Sequence, residues 1–300
     1  MIRTNHLKLI AQHSVRHGIR GGAGLMSILV TLVLGLILAS VVIMPIDALN
    51  QEMAQYGDRL TADQRAEVTE NVHRQVVKIA RGAIDWTMDP KAEQLEYLTH
   101  DKPAMISAIL VLLFLVTPLL TCLGSFNQTS GDIGTKGLRF LLIRTERPNI
   151  FLGRFIGTFV FTALVNLLLF AILAVYMAAK VKVHPAGDQA LWLFQGYLRM
   201  LVFALPYVAV CAWVSCAIDS SFGSFAISLL VVYFVPLFIG RAAAAVSDSI
   251  SYAQFITPWG FKYWLLEPLG GKLFGGIAVM LAFTALFLFL GMRHFGKRDL

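Results

Sequence analysis

Charge is what this sequence has least of. Only 14% of its 300 residues are Asp, Glu, Lys or Arg, where soluble domains carry about 25%. No charged residue lies between Arg20 and Asp47, Lys102 and Asp132, Arg154 and Lys180, Arg199 and Asp219, Asp219 and Arg241, or Lys272 and Arg293. Cysteine is scarce as well. Cys122, Cys211 and Cys216 suggest no disulfide or metal framework and read as small buried apolar side chains. The sequence has no G-x-x-x-x-G-K-[ST], so it cannot cradle nucleotide phosphates through that loop. It also lacks the self-similarity at roughly 20–50 residues that would mark a solenoid.

What is abundant is apolar, at 57% of the residues. A helix rises about 1.5 Å per residue, so crossing a hydrocarbon core of about 30 Å takes roughly 20 apolar residues. Each charge-free gap can hold such a helix. The pattern predicts an all-α integral membrane protein with six transmembrane helices at about 23–45, 104–124, 150–179, 200–218, 221–240 and 273–292, the third charge-free from 155. The first follows about twenty polar and basic residues and is too long for a signal-peptide core, so it reads as retained. Residues 249–261, with Pro258 and Gly260, are too short to span and read as re-entrant or interfacial.

Basic residues in short loops mark the cytoplasmic side. Arg3, Lys8, Arg16 and Arg20 precede the first span, Lys136, Arg139, Arg144, Arg147 and Arg154 follow the second, and Arg293, Lys297 and Arg298 close the chain. Only Asp132, Glu146, Asp219 and Asp299 oppose them on that side. The 46–103 stretch carries eleven acidic and seven basic residues. Both termini are therefore expected in the cytoplasm and 46–103 outside, a parity that six spans satisfy. The sequon at Asn127 then faces the cytoplasm and carries no glycan.

Five basic residues in "GDIGTKGLRFLLIRTERPNIFLGRF" need a reason. Nucleic acid is disfavoured, because no aromatic stacking platform or recognition module accompanies the charge. Membrane lipid phosphate is the plain reading for juxtamembrane arginines. The segment has more order than that reading requires. From Gly134-Thr135, Leu138, Leu141 and Leu142 fall at i, i+3 and i+4, an apolar stripe, while Lys136, Arg139 and Arg144 take other faces. Pro148 is expected to end this short amphipathic helix.

This segment resembles the permease subunit of type 2 ABC exporters. The matching positions are Asp132, Gly134, Thr135, Leu138, Leu141, Leu142, Leu152, Gly153 and Arg154, within a motif of about 25 residues. The family's Glu-Arg-Glu run before Gly-Thr is here reduced to Asp132-Ile133, and Arg144-Thr-Glu-Arg-Pro-Asn149 replaces its usual turn. The resemblance implies that 131–147 is a coupling helix seated in a separate ATP-binding subunit, with Asp132, Gly134, Thr135, Leu138, Arg139, Leu141, Leu142 and Arg144 as the coupling residues. ATP and Mg would belong to that partner, and this chain would bind no cofactor. A second copy or a paralogue would complete the pathway, in the cytoplasmic (inner) membrane of a bacterium.

Other features carry weaker expectations. The first 22 residues, with Ile2, Leu9, Ile10 and Ile19 among basic residues, read as an amphipathic interfacial helix. His13 and His17 share a helix face but lack further metal ligands nearby. In the outer loop, Thr61-Ala-Asp-Gln64 is a capping box, and Val68, Val72, Val76, Ile79 and Ala83 predict a helix over about 61–85. Asp89-Pro90 starts another. This small helical insertion can cap the outer mouth, receive an extracytoplasmic protein, or pack on itself. Asn166, inside the third span, is a pathway candidate or a helix–helix hydrogen-bond partner. Trp259, Tyr263 and Trp264 are candidates for an outer gate, or for an aromatic interface belt.

Three functions compete. The first is an exporter permease driven through 131–147. The second is a membrane anchor or assembly subunit of an ABC-type complex, which moves nothing but shares the topology and the partner, so that a transport or ATPase assay separates it from the first. An intramembrane enzyme is disfavoured, since the spans hold no His and almost no ionisable residue from which to build a catalytic group. The apolar spans also disfavour a small, highly charged substrate. They leave lipid, amphipathic compound, peptide or mechanical coupling open.

Overall fold

A computed structural model describes residues 4–56, 71, 74–75, 77–85, 92–180, 185–236, 238–239 and 255–298. Among them there is helix and no strand. In chain order these are α1 (Thr4–Arg20), α2 (Gly22–Tyr56), α3 (Ala92–Glu96, continued by a π turn over Tyr97–Asp101), α4 (Ala104–Ser125), α5 (Ser130–Gly134), α6 (Leu138–Leu142), α7 (Arg147–Lys180), α8 (Ala186–Ala217), α9 (Ser221–Leu229, continued by a π turn over Leu230–Phe234), a 3-10 helix (Pro258–Leu266) and α10 (Gly271–Lys297).

Five helices are long and apolar enough to cross a membrane: α2 over Gly22–Met44, α4, α7, α8 and α10. The stretch expected as a fifth span is a shorter apolar helix over Ser221–Phe234, and residues 240–254 lie outside the described part. Several helices outrun their charge-free windows. α2 runs on to Tyr56, α7 starts at Arg147, and α8 starts at Ala186 rather than near 200. Charges flag where a span leaves lipid, but they do not break a helix. α7, with 34 residues, is about 50 Å long, well beyond a 30 Å hydrocarbon core.

The described chain forms two compact units. One comprises Met1–Thr31, Val116–Asn166 and Arg199–Leu300. Its apolar centre joins Leu138 of α6, Ile150, Phe151 and Phe155 of α7, Val208, Ala209, Ala212 and Cys216 of α8, and Phe295 of α10. Within it, α1 lies on the start of α7. A Cβ at Gly153 would come 2.9 Å from the Cβ of Ile10, and one at Gly157 would come 2.5 Å from the carbonyl oxygen of Ala11. The spacing Gly153-x-x-x-Gly157 lets two backbones approach closely. Ile10 thus packs inward while Leu9 faces out.

The other unit comprises Leu32–Leu115 and Leu167–Leu198. Trp192 is its buried pivot, its indole N–H donating to the Ser107 hydroxyl at 3.1 Å and its ring meeting Tyr97 edge-on. Residues 77–85 are helical, and burial falls on Ala80 and Ile84 while Ile79 and Ala83 are half-buried. The expected stripe is therefore displaced by one residue within a wider apolar face. Thr61–Gln64, Val68, Val72, Val76 and Asp89 lie outside the described residues.

Candidate functional site

The basic segment is not one helix. α5 ends at Gly134, Lys136 takes a left-handed conformation with φ 59°, and α6 begins at Leu138. A lysine at positive φ has no glycine-like freedom and stays there only when its surroundings hold it. Gly134, expected to open a helix, closes one. Its Cα packs on the backbone of Asp219, where a Cβ would lie 2.5 Å from the carbonyl oxygen. Pro148 does not end the amphipathic helix either. It sits in the first turn of α7, where a proline's missing N–H costs nothing. The N–H groups of Asn149 and Ile150 instead reach the Glu146 carbonyl, at 3.1 and 3.3 Å.

Small polar groups clamp α5 in place. The Asn127 side-chain oxygen accepts from the Gly131 N–H (2.8 Å) and from the hydroxyls of Ser130 and Ser221 (3.0 Å each). The Ser215 hydroxyl accepts from the N–H groups of Thr129 (2.8 Å) and Ser130 (3.0 Å), and the Ser224 hydroxyl donates to the Phe126 carbonyl at 2.6 Å. The Thr135 hydroxyl donates to the Gly131 carbonyl at 3.0 Å, closing its own turn. The composition "SFNQTSG" at a span end, rich in small hydrogen-bonding side chains, is the signal that could have revealed this clamp.

The basic residues divide by role. Arg147 donates to the carbonyls of Phe295, Gly296 and Arg298, at 3.2, 2.8 and 2.7 Å, satisfying the otherwise orphaned C-terminus of α10. Arg154 pairs with Asp132 and donates to the Gln128 carbonyl. Arg298 pairs with Asp219 and donates to the Cys216 carbonyl at the end of α8. These arginines are braces. Lys136, Arg139 and Arg144 are exposed.

The apolar stripe points inward. Leu138 is fully buried in the apolar centre, and Leu141 and Leu142 pack against it. This redefines the outward face of α6. Phe140 and Ile143, 75% and 82% exposed, stand there among Lys136, Arg139 and Arg144. A groove of about 640 Å³ runs beside them, with Ile143, Arg144, Glu146 and His6 in its wall. His6 meets the Thr145 hydroxyl at 3.1 Å, joining α1 to the end of this segment.

Asn166 is 4% exposed and shares a small cavity with Ser27, Thr31, Thr117, Thr121 and Thr162. Sequence reading picked the amide and missed the five hydroxyls around it, which look unremarkable singly in apolar helices.

The three aromatic candidates separate. In a 3-10 helix side chains three apart eclipse, so Trp259, Lys262 and Leu265 form one buried face. The Lys262 ammonium lies 4.3 Å from the ring centres of both Trp259 and Tyr263. Burial pulls its pKa down to about 7, while the two aromatic faces favour the charged form. Trp264 turns the other way, onto Gly275 and Gly276 of α10 and against Phe261. No known family model matches the chain, and no curated protein matches it either.

Proposed function

We propose that this chain is the permease subunit of an ATP-driven exporter of the type 2 ABC kind, coupled to a separate ATP-binding subunit through the α5–α6 segment. The observation that carries this reading is the face of α6. Two large apolar side chains, Phe140 and Ile143, are held in water beside Lys136, Arg139 and Arg144. They stand on an element that Asn127, Ser215 and Leu138 fix to the helices behind it. An exposed apolar pair with a charged rim suits a protein contact, and a braced element can transmit a push. Arg147 ties that element to α10, and His6 ties it to α1.

In this reading the chain has six spans, with Ser221–Phe234 as the start of the fifth. Both termini and α6 face the cytoplasm, and 46–103 lies outside a bacterial inner membrane, available to an outer protein. A second copy or a paralogue completes the pathway, while ATP and Mg stay on the partner. A non-transporting anchor or assembly subunit of an ABC-type complex would have the same topology and the same partner, and lipid headgroups alone are the plainer occupant of this face.

Co-purification tests docking on an ATP-binding subunit against a lipid-facing surface, and an ATP-driven transport assay on the purified complex then separates the permease from an anchor subunit with the same partner. The tagged parent and a Phe140→Asp/Ile143→Asp variant are isolated in mild detergent, and associated proteins are identified by mass spectrometry. An ATP-binding protein with the parent and none with the equally folded variant is the expected result. A folded parent that brings no ATP-binding protein overturns the reading.

A further inference from the structure

α2, α4 and α7 each turn a polar row toward one another, at matching depths. On α2, Gly24 is followed by Ser27 and Thr31. On α4, running back, Gly124 is preceded by Thr121 and Thr117. On α7, Thr158 leads to Thr162 and Asn166. The outermost of these, Gly24, Gly124 and Thr158, line a cavity of about 270 Å³ whose wall also holds Arg154, Asp132 and the exposed His13 and His17. One helical turn further in, Ser27, Thr31, Thr117, Thr121, Thr162 and Asn166 line a second cavity of about 10 Å³, about the space one water centre needs.

Packed rows of small polar residues can serve helix association alone. Two side chains here are not satisfied by it. The hydroxyl of Thr162, a residue 7% exposed that lines the inner cavity, has no protein partner. Neither has the side-chain oxygen of Gln128, which lines the outer cavity and whose amide N–H₂ is spent on the Val208 carbonyl at 3.1 Å. An unpaired buried polar group costs free energy that a bound water recovers. Between the two cavities stand Phe161, Gly124 and Ser27. A Cβ at Gly124 would lie 3.0 Å from the Ser27 hydroxyl and 3.8 Å from the Phe161 ring. Phe161 lines the outer cavity and Ser27 the inner one.

We infer that this seam is a water site within a single chain. The outer cavity is a hydrated mouth, the inner cavity holds a water bonded to the Thr162 hydroxyl, and Phe161 separates them. The site rests on reading the chain as membrane-embedded, but not on coupling to an ATPase, and it brings water to the side of Asn166.

Radiolytic footprinting of the unsubstituted protein in lipid nanodiscs tests it, since bound water activated in place oxidises the side chain beside it. Met200 lines the inner cavity and Met280 does not, and both are fully buried. Met200 oxidised several-fold faster than Met280 is the expected result, and equal rates overturn the site. Single cysteines give a second reading with a charged methanethiosulfonate reagent, with the parent and its buried native thiols as blank. Thr158→Cys on the outer cavity should react fast, while Thr162→Cys, in a space too small for the reagent, and Ala209→Cys in the apolar centre should both react slowly. Removing the ring with Phe161→Ala should speed Thr162→Cys toward Thr158→Cys. Thr158→Cys reacting no faster than Ala209→Cys overturns the hydrated mouth. Neither readout depends on a partner protein, so both are independent of the coupling reading.

Discussion

Two cationic segments of the same unit treat their charge in opposite ways. Around α6, Lys136, Arg139 and Arg144 stand in water and two large apolar side chains stand out with them. In the 3-10 helix, Lys262 is 7% exposed, with its ammonium against the rings of Trp259 and Tyr263. Both segments use i, i+3 spacing to sort side chains, yet one displays its cations and the other hides one. Buried charge costs free energy unless something compensates it, and exposed apolar surface costs free energy unless something covers it. The 3-10 helix offsets part of that cost within the chain, through two ring faces. The α6 face lacks a cover among the described residues, and that difference is why it, rather than the aromatic segment, is the docking candidate.

The sharpest test of this contrast separates the two faces of α6. Leu138→Asp puts a carboxylate into a fully enclosed apolar site and should cost at least about 4 kcal/mol, enough to abolish the folded monodisperse protein on size exclusion. The outward Phe140→Asp/Ile143→Asp pair, by contrast, should leave the thermal midpoint within a few degrees of the parent. If the outward pair unfolds the protein as readily as the inward change, α6 has no free face.

The effect expected at Lys262 depends on pH. Its pKa is lowered from 10.5 to about 7 in the folded state, so between those values the unfolded chain binds more protons there and stability rises with pH. Below about 7 the burial penalty is fully present. Lys262→Met should flatten the rise of thermal midpoint over pH 7 to 10.5. An unchanged slope would mean that the two rings hold the ammonium charged throughout.

Much of this architecture was legible in the residue order, because lipid imposes a length and a polarity on every helix that crosses it. The apolar gaps located all five long helices, though not their ends, since α7 and α8 keep their hydrogen bonds through Arg147, Arg154 and Arg199. The α6 region was legible as amphipathic, but not in its direction. A stripe of Leu138, Leu141 and Leu142 reads the same whether it faces a partner or the helices behind it. Only the position of Phe151, Val208 and Phe295 decides that it faces in. The inner cavity was half legible. Asn166 announces itself inside an apolar run, but the convergence of Ser27, Thr121 and Thr162 depends on which helices become neighbours, and the order of spans does not state that.

The most direct measurement is photocrosslinking in intact membranes, with benzoylphenylalanine placed singly at positions 140 and 143 and, as control, at the exposed Phe222 of α9. The account predicts that positions 140 and 143 give an adduct with a nucleotide-binding protein, that the adduct is identified by mass spectrometry, and that position 222 gives none. Adducts with lipid alone at 140 and 143, in folded protein, would contradict it and make this face part of the membrane surface.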